Sequence, residues 1–243
     1  MKTAIISGAS RGIGKMSAIA LAKEGYRVIV NYLNSQADAD NVCEYINSMG
    51  GNAIPYKADM ADSAQIASMV DFVKKNYGGI DLLVANAGIG HNALLIDHSD
   101  DIIRKIIDVN LTGVITICRE VGKIMLSQKS GNIITISSMW GQVGGSCESV
   151  YSATKGGIIA FTKAIAKEFS LSGVRVNCIA PGFIDTDINS RLSAADKQAL
   201  IQEIPLSRAG TTQDIADAVV WLASEKASYI TGQVLAINGG LII

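Results

Sequence analysis

Cysteine and histidine are too few and too scattered to build a metal site or a disulfide framework. The four cysteines, Cys43, Cys118, Cys147 and Cys178, form no C-x-x-C pair, and only two histidines occur. No metal is expected, and a reducing, cytoplasmic setting is the default. Proline appears three times, and no Pro/Ser-rich or charged linker interrupts the 243 residues, so residues 1–243 read as one domain. Aromatic residues make up 5%, which leaves the core to aliphatic side chains. The net charge of −1 gives no pull toward nucleic acid or an anionic membrane. No apolar run is long enough for a membrane span, and Met1-Lys-Thr-Ala-Ile-Ile enters a strand directly instead of a signal peptide.

What is present is alternation. Short β-branched runs at Thr3–Ser7, Arg27–Asn31, Ala53–Lys57, Leu82–Ala85, Asn132–Ser137, Arg175–Ala180 and Val234–Ile237 read as strands. Helical spacing fills Gly12–Glu24, Ala37–Met49, Ala64–Tyr77, Ile102–Ser127, Val150–Ser170 and Gln213–Ala223. Nearly all-apolar strands alternating with helices predict a doubly wound, Rossmann-like α/β fold: a seven-stranded parallel sheet covered on both faces. The stretch Phe183–Arg208 breaks the rhythm. It holds a short helical pattern at Ala194–Glu203 and reads as a lid near the carboxyl ends of the strands, against the plainer reading of a connecting helix pair.

Gly8, Gly12 and Gly14 follow the first strand and open the first helix. Such a turn lets backbone approach a pyrophosphate while the helix N-terminus offers free N–H groups and positive dipole. A glycine-rich turn alone is a weak signal; here a strand precedes it and a helix follows, as a dinucleotide site requires. Its candidate contacts are Gly8, Ser10, Arg11, Gly12, Ile13 and Gly14. The second strand ends at Asn31, with no acid until Asp38 to grip a ribose 2′-hydroxyl, and Arg11 is suited to a phosphate. NADPH is therefore the expected cofactor. Asp59, with Met60 beside it, and Asn86-Ala87-Gly88 are placed to contact adenine and line the cofactor's back.

Tyr151 and Lys155 are four apart and share one helix face. An ammonium beside a phenol favours the phenolate and is expected to bring its pKa toward the working range. Tyr151 would then hand a proton to a carbonyl oxygen as hydride arrives, with Ser138 as second donor to that oxygen. Ser137 is the rival hydroxyl; the spacing to Tyr151 favours Ser138. Lys155 would also hold the nicotinamide ribose, and Asn110 would orient Lys155 through a water. A Y-x-x-x-K pair alone carries little weight, and each residue alone has an ordinary structural reading. The weight lies in four such residues meeting where open α/β sheets bind ligands.

These pieces resemble the short-chain dehydrogenases/reductases: Ser7-Gly-Ala-Ser-Arg-Gly-Ile-Gly14, Asn86-Ala-Gly88, Asn110, Ser138, Tyr151-Ser-Ala-Thr-Lys155 and Pro181-Gly182-Phe-Ile-Asp-Thr186. Within that family the chain is most similar to bacterial 3-oxoacyl-acyl-carrier-protein reductases, which implies NADPH, acyl carrier protein as partner and a homotetramer pairing through the C-terminal strand. The resemblance also implies that Thr186 and the backbone near Ile184 hold the carboxamide. Ser7, Ala85 and Asn238 depart mildly from the family pattern. The run from Trp140 through Ser146-Cys147-Glu148 resembles a side branch that reduces a 5-aminopentanone group on elongation factor P, where Cys147 and Glu148 would face substrate. The plainer reading is loop variation. An apolar lid (Ile188, Leu192, Leu200, Ile201) suits an acyl chain but leaves free ketones, sugars and sterols open. A cofactor-sensing module that has lost the chemistry is the non-enzyme alternative. For a carrier protein, Arg104, Lys105, Lys123 and Lys129 are the candidate basic docking residues, against the reading that they are solvated helix charges. His91 and His98 are assigned nothing.

Overall fold

The computed structural model describes residues 1–186 and 193–243, so the lid residues Ile188 and Leu192 lie outside the described residues. Seven strands, β1 (Thr3–Ile6), β2 (Arg27–Tyr32), β3 (Asn52–Lys57), β4 (Leu82–Ala85), β5 (Gly131–Ile136), β6 (Val174–Pro181) and β7 (Val234–Ile237), form one sheet. Every pairing is parallel, in the order β3-β2-β1-β4-β5-β6-β7. The chain starts at β1, winds outward to β3, then returns to β4 on the other side of β1. That reversal opens a crevice at the carboxyl ends of β1 and β4.

Successive strand residues point to opposite faces, and both faces are buried. Ile6, Val28, Val30, Val84 and Ile134 pack on one side with α1 (Gly12–Lys23), α2 (Gln36–Ser48) and α9 (Thr212–Ala223). Ile5, Ile29, Leu83, Ile133 and Val176 pack on the other with α3 (Ser63–Tyr77), α5 (Gly113–Gln128) and α7 (Ser149–Phe169). Each fully buried Ile or Leu contributes about 1.5–3 kcal/mol. Helix starts are fixed locally: Asp62 accepts from the Ala64 and Gln65 N–H groups, and Thr211 with Asp214 forms a capping box on α9.

The long helix expected at Ile102–Ser127 is not continuous. α4 (Asp100–Ile107) passes through a π-helical turn, Asp108–Thr112, into α5. The Gly113 N–H donates to the Asp108 carbonyl five residues back. Asn110 sits inside that wider turn. Short elements beyond the expected ones include a 3₁₀ turn at Leu95–Asp97 and α6 at Trp140–Val143. Helix α8 covers Ala194–Glu203, the span of the helical pattern. Among the described residues no helix is long and apolar enough to cross a membrane.

Candidate active site

Strand β5 and helix α7 bring three of the four expected residues together, and the π turn supplies the fourth. Two residues past the end of β5, Ser138 is buried and meets the Tyr151 hydroxyl. Its oxygen accepts the Trp140 N–H at 3.2 Å, which leaves the Ser138 proton free to donate elsewhere. The rival Ser137 donates to the Lys155 carbonyl at 2.7 Å and is spent on structure.

Lys155 is 3% exposed and its Nζ donates to the Ile136 carbonyl at 2.8 Å. Burial lowers its pKa to about 8, with the Cys178 thiol pulling weakly the other way. The ammonium lies 5.5 Å from the Tyr151 ring centroid. Here the structure corrects the expectation. Tyr151 is pushed up to about 12, chiefly by burial and further by the Glu148 carboxylate, against the hydrogen bond from Ser138. Desolvation dominates, so the phenol stays protonated at neutral pH and is a proton donor.

Asn110 is wholly buried and tied to backbone. Its side chain grips both backbone groups of Ile89: Oδ1 accepts the N–H at 2.8 Å and Nδ2 donates to the carbonyl at 2.7 Å. Nδ2 also reaches the Thr154 hydroxyl at 3.5 Å. Asn110 and Lys155 nonetheless flank one point, since a Cβ placed on Gly88 would lie 3.4 Å from both Asn110 Oδ1 and Lys155 Nζ.

At the other end of the crevice, the glycine-rich turn is held from beneath. Asn86 Nδ2 donates to the Ser7 and Gly8 carbonyls at 2.9 and 3.1 Å, while the Ser7 hydroxyl receives the Asn86 and Ala87 N–H groups. Gly14 is required by packing, because a Cβ there would meet the Gly8 carbonyl at 2.4 Å. Gly12, at φ +56°, instead faces open space, with Thr186 the nearest neighbour at 4.0 Å. Ser10, Arg11 and Gly12 line a cavity of about 300 Å³ together with Lys15, Asp38 and Asn41. An open Gly12 backbone, two cations and a helix N-terminus fit the phosphate end of a dinucleotide.

Several expected cofactor contacts have partners within the chain. Asn31, 1% exposed, accepts the Gly8 N–H with its oxygen and donates its amide to the Ala58 carbonyl, and so positions the turn. Met60 is buried in the second core, and Ile13 packs against the first. Asp59 Oδ1 accepts the Ala61 N–H at 2.8 Å. Asn86 is the clamp just described, Ala87 packs on the core, and Gly88 is exposed toward Lys155. The Pro181 carbonyl accepts from Met139, the Gly182 N–H donates to Ile237, and Ile184 bridges to Gly210. Of the candidate basic docking residues, Arg104 pairs with Asp100 and Asp101, and Lys123 pairs with Glu120.

A family model described as Enoyl-(Acyl carrier protein) reductase matches residues 8–242. The chain is 42% identical over 240 residues to a 3-oxoacyl-[acyl-carrier-protein] reductase of Staphylococcus aureus, covering 99% of this chain and 98% of that one. It is 42% identical over 243 residues to the Synechocystis reductase of the same name, covering 100% and 97%. A Thermotoga maritima relative of that name is 38% identical over 242 residues, covering 100% and 98%. The chain belongs to the short-chain dehydrogenase/reductase family.

Sequence reasoning missed the groups that complete this reductase's crevice from outside the motifs. The Trp140 N–H behind Ser138 and the Ile136 carbonyl behind Lys155 are backbone groups with no sequence signal. Lys15 did leave one: it lies one turn beyond Arg11 on the same helix face. Glu148, named above only as facing substrate, also acts electrostatically on Tyr151.

Proposed function

We propose that the chain is an NADPH-dependent reductase of 3-oxoacyl thioesters carried on acyl carrier protein, giving the 3-hydroxyacyl product. The observation that carries this reading is the meeting of the Ser138 and Tyr151 hydroxyls in a chain 42% identical, end to end, to reductases of that name. Two O–H donors converging on one point suit a carbonyl oxygen. This favours ketone reduction over the reduction of a carbon–carbon double bond that the family model's description names.

The residues that would hold the dinucleotide are the Gly8–Gly14 turn with Arg11, the Asn86–Gly88 segment, Lys155, and the Ile184–Thr186 segment. Bound there, the cofactor supplies a hydride to the carbonyl carbon. Ser138 holds the carbonyl oxygen through the proton that its Trp140 contact leaves free. Tyr151 donates its proton to that same oxygen, which high phenol pKa keeps available. Lys155, fixed by Ile136, holds the charge of the resulting phenolate in place. Asn110 and Lys155, flanking the point above Gly88, hold a water that returns the proton from solvent. The 183–208 segment acts as a lid, and the half-exposed apolar edge of β7 pairs subunits into a homotetramer.

The test is NADPH oxidation with acetoacetyl-coenzyme A. Rapid thioester turnover supports the reading; its absence overturns it. A second reading, reduction of an ammonium-bearing ketone such as 5-aminopentanone on a protein lysine, is favoured by one observation. Glu148 Oε2 is buried and, among the described residues, has no hydrogen-bond partner. Burial raises its pKa while Asn92 and His98 lower it. An ammonium would satisfy that oxygen; turnover of a modified peptide without thioester turnover supports this reading.

A further inference from the structure

The cavity beside the glycine-rich turn contains charges that the sequence motif does not include. Arg11 caps the N-terminus of α1 in an extended conformation, and Lys15 follows one turn on, its N–H donating to the Arg11 carbonyl at 3.1 Å. Both side chains are exposed, and among the described residues neither takes part in an ion pair. Like charges one turn apart repel each other, so the pair gains from a shared anion. The opposite wall comes from α2, where Asp38 occupies the first turn and Asn41 lies one turn further. Asp38 is stabilised there by the α2 dipole, and it puts a carboxylate into the same cavity. The remaining lining, Ser10 and Gly12, is uncharged.

We propose that Lys15 is a second phosphate-binding cation beside Arg11, and that Asp38 limits how strongly the cavity prefers a 2′-phosphorylated dinucleotide. This rests on the cofactor assignment above and extends it to residues outside the motif. A phosphomonoester brings nearly two negative charges, which two cations balance better than one. The Asp38 carboxylate opposes that gain. It can also accept a hydrogen bond from a free ribose 2′-hydroxyl, so it favours the unphosphorylated cofactor. The cavity therefore holds one group for each form, and the preference is a difference between them. Lys15 and Asp38 enter this balance as separable terms, because they sit on different helices.

The experiment is calorimetric titration with adenosine 2′,5′-bisphosphate and with adenosine 5′-monophosphate, which differ only in the 2′-phosphate. Lys15→Ala is expected to weaken the bisphosphate roughly tenfold and to leave the monophosphate within about twofold. Asp38→Asn is expected to tighten the bisphosphate by roughly three- to tenfold without tightening the monophosphate. Raising the salt should weaken bisphosphate binding in the wild type and do so less in Lys15→Ala. Lys15→Gln and Asp38→Ser repeat each test, and thermal unfolding of all variants reports folding. Equal effects on both nucleotides, or none, overturn the proposal. If the wild type binds the two nucleotides equally, the 2′-phosphate is not read and this proposal fails. The ketone-reduction reading then stands or falls separately, by thioester turnover with NADH.

Discussion

The Lys155 ammonium donates to the Ile136 carbonyl at 2.8 Å, tying helix α7 to the end of strand β5 at the centre of the site. The bond locks the lysine in place and favours its charged form, while burial, where water is scarce, is what makes it easily deprotonated.

The lysine's folded-state pKa of about 8 lies below its ordinary 10.5. Below pH 8 both folded and unfolded chains carry the proton, and the burial penalty is fully present. Between pH 8 and 10.5 the unfolded chain binds more protons, so this group's contribution to stability rises with pH. Cys43, Cys118 and Cys178, raised by burial, act in the opposite sense above pH 9. The lysine's part must therefore be read as a difference. Urea unfolding should show Lys155→Met more stable than wild type at pH 7 by roughly 3 kcal/mol, with the gap closing toward pH 10. A gap that does not change with pH contradicts the assignment.

Tyr151→Phe is expected to lower turnover at least ~10²-fold while leaving adenosine nucleotide binding unchanged. Because Glu148 helps to raise the phenol, Glu148→Gln should move the alkaline limb of the pH–rate profile to lower pH. An unmoved limb would show that the carboxylate does not act on Tyr151.

The two adjacent serines should separate cleanly. Ser138→Ala is expected to cost about 10²-fold in kcat with little change in unfolding temperature. Ser137→Ala removes the bond to the Lys155 carbonyl and should reduce stability by roughly 1 kcal/mol. Steady-state kinetics and thermal melts on both variants decide it.

Arg208 binds the Asp214 carboxylate with both guanidinium NH groups, at 2.8 and 2.9 Å, while Thr211 caps the same helix. The Asp214 carboxyl is held well below its usual range, first by Arg208 and then by the Thr211 N–H. Its contribution is present above the ordinary carboxylate pKa and is lost as pH falls toward the folded value. Asp214→Ala should cost about 1–2 kcal/mol at pH 7 and less in acid, measured by urea unfolding.

The sheet was legible because strand runs such as Val28–Val30 and Leu82–Val84 are apolar on both faces, which only a covered parallel sheet explains. The constellation was legible because Tyr151 and Lys155 share a helix face at fixed spacing. The π turn at Asp108–Thr112 was not, since one extra residue in a turn leaves the surrounding apolar spacing nearly intact. The direction of the Tyr151 pKa shift was not legible, because sequence shows a charged neighbour but not how much water is lost. Asp38 was seen as an absent ribose ligand, being six residues past β2; only the folded start of α2 brings it across from Arg11.

The Asn86 amide under the Ser7 and Gly8 carbonyls has a consequence for how this scaffold can be recombined. A chimera that exchanges the first three strands for those of a homologue cuts between the two halves of that clamp. Residues 7 and 8 travel with one parent and residues 86 and 87 with the other. Such a hybrid inherits a matched nucleotide turn when the two parents supply a hydroxyl at position 7 and an amide at position 86, the clamp's two side chains, and a crossover past residue 87 keeps both from one parent.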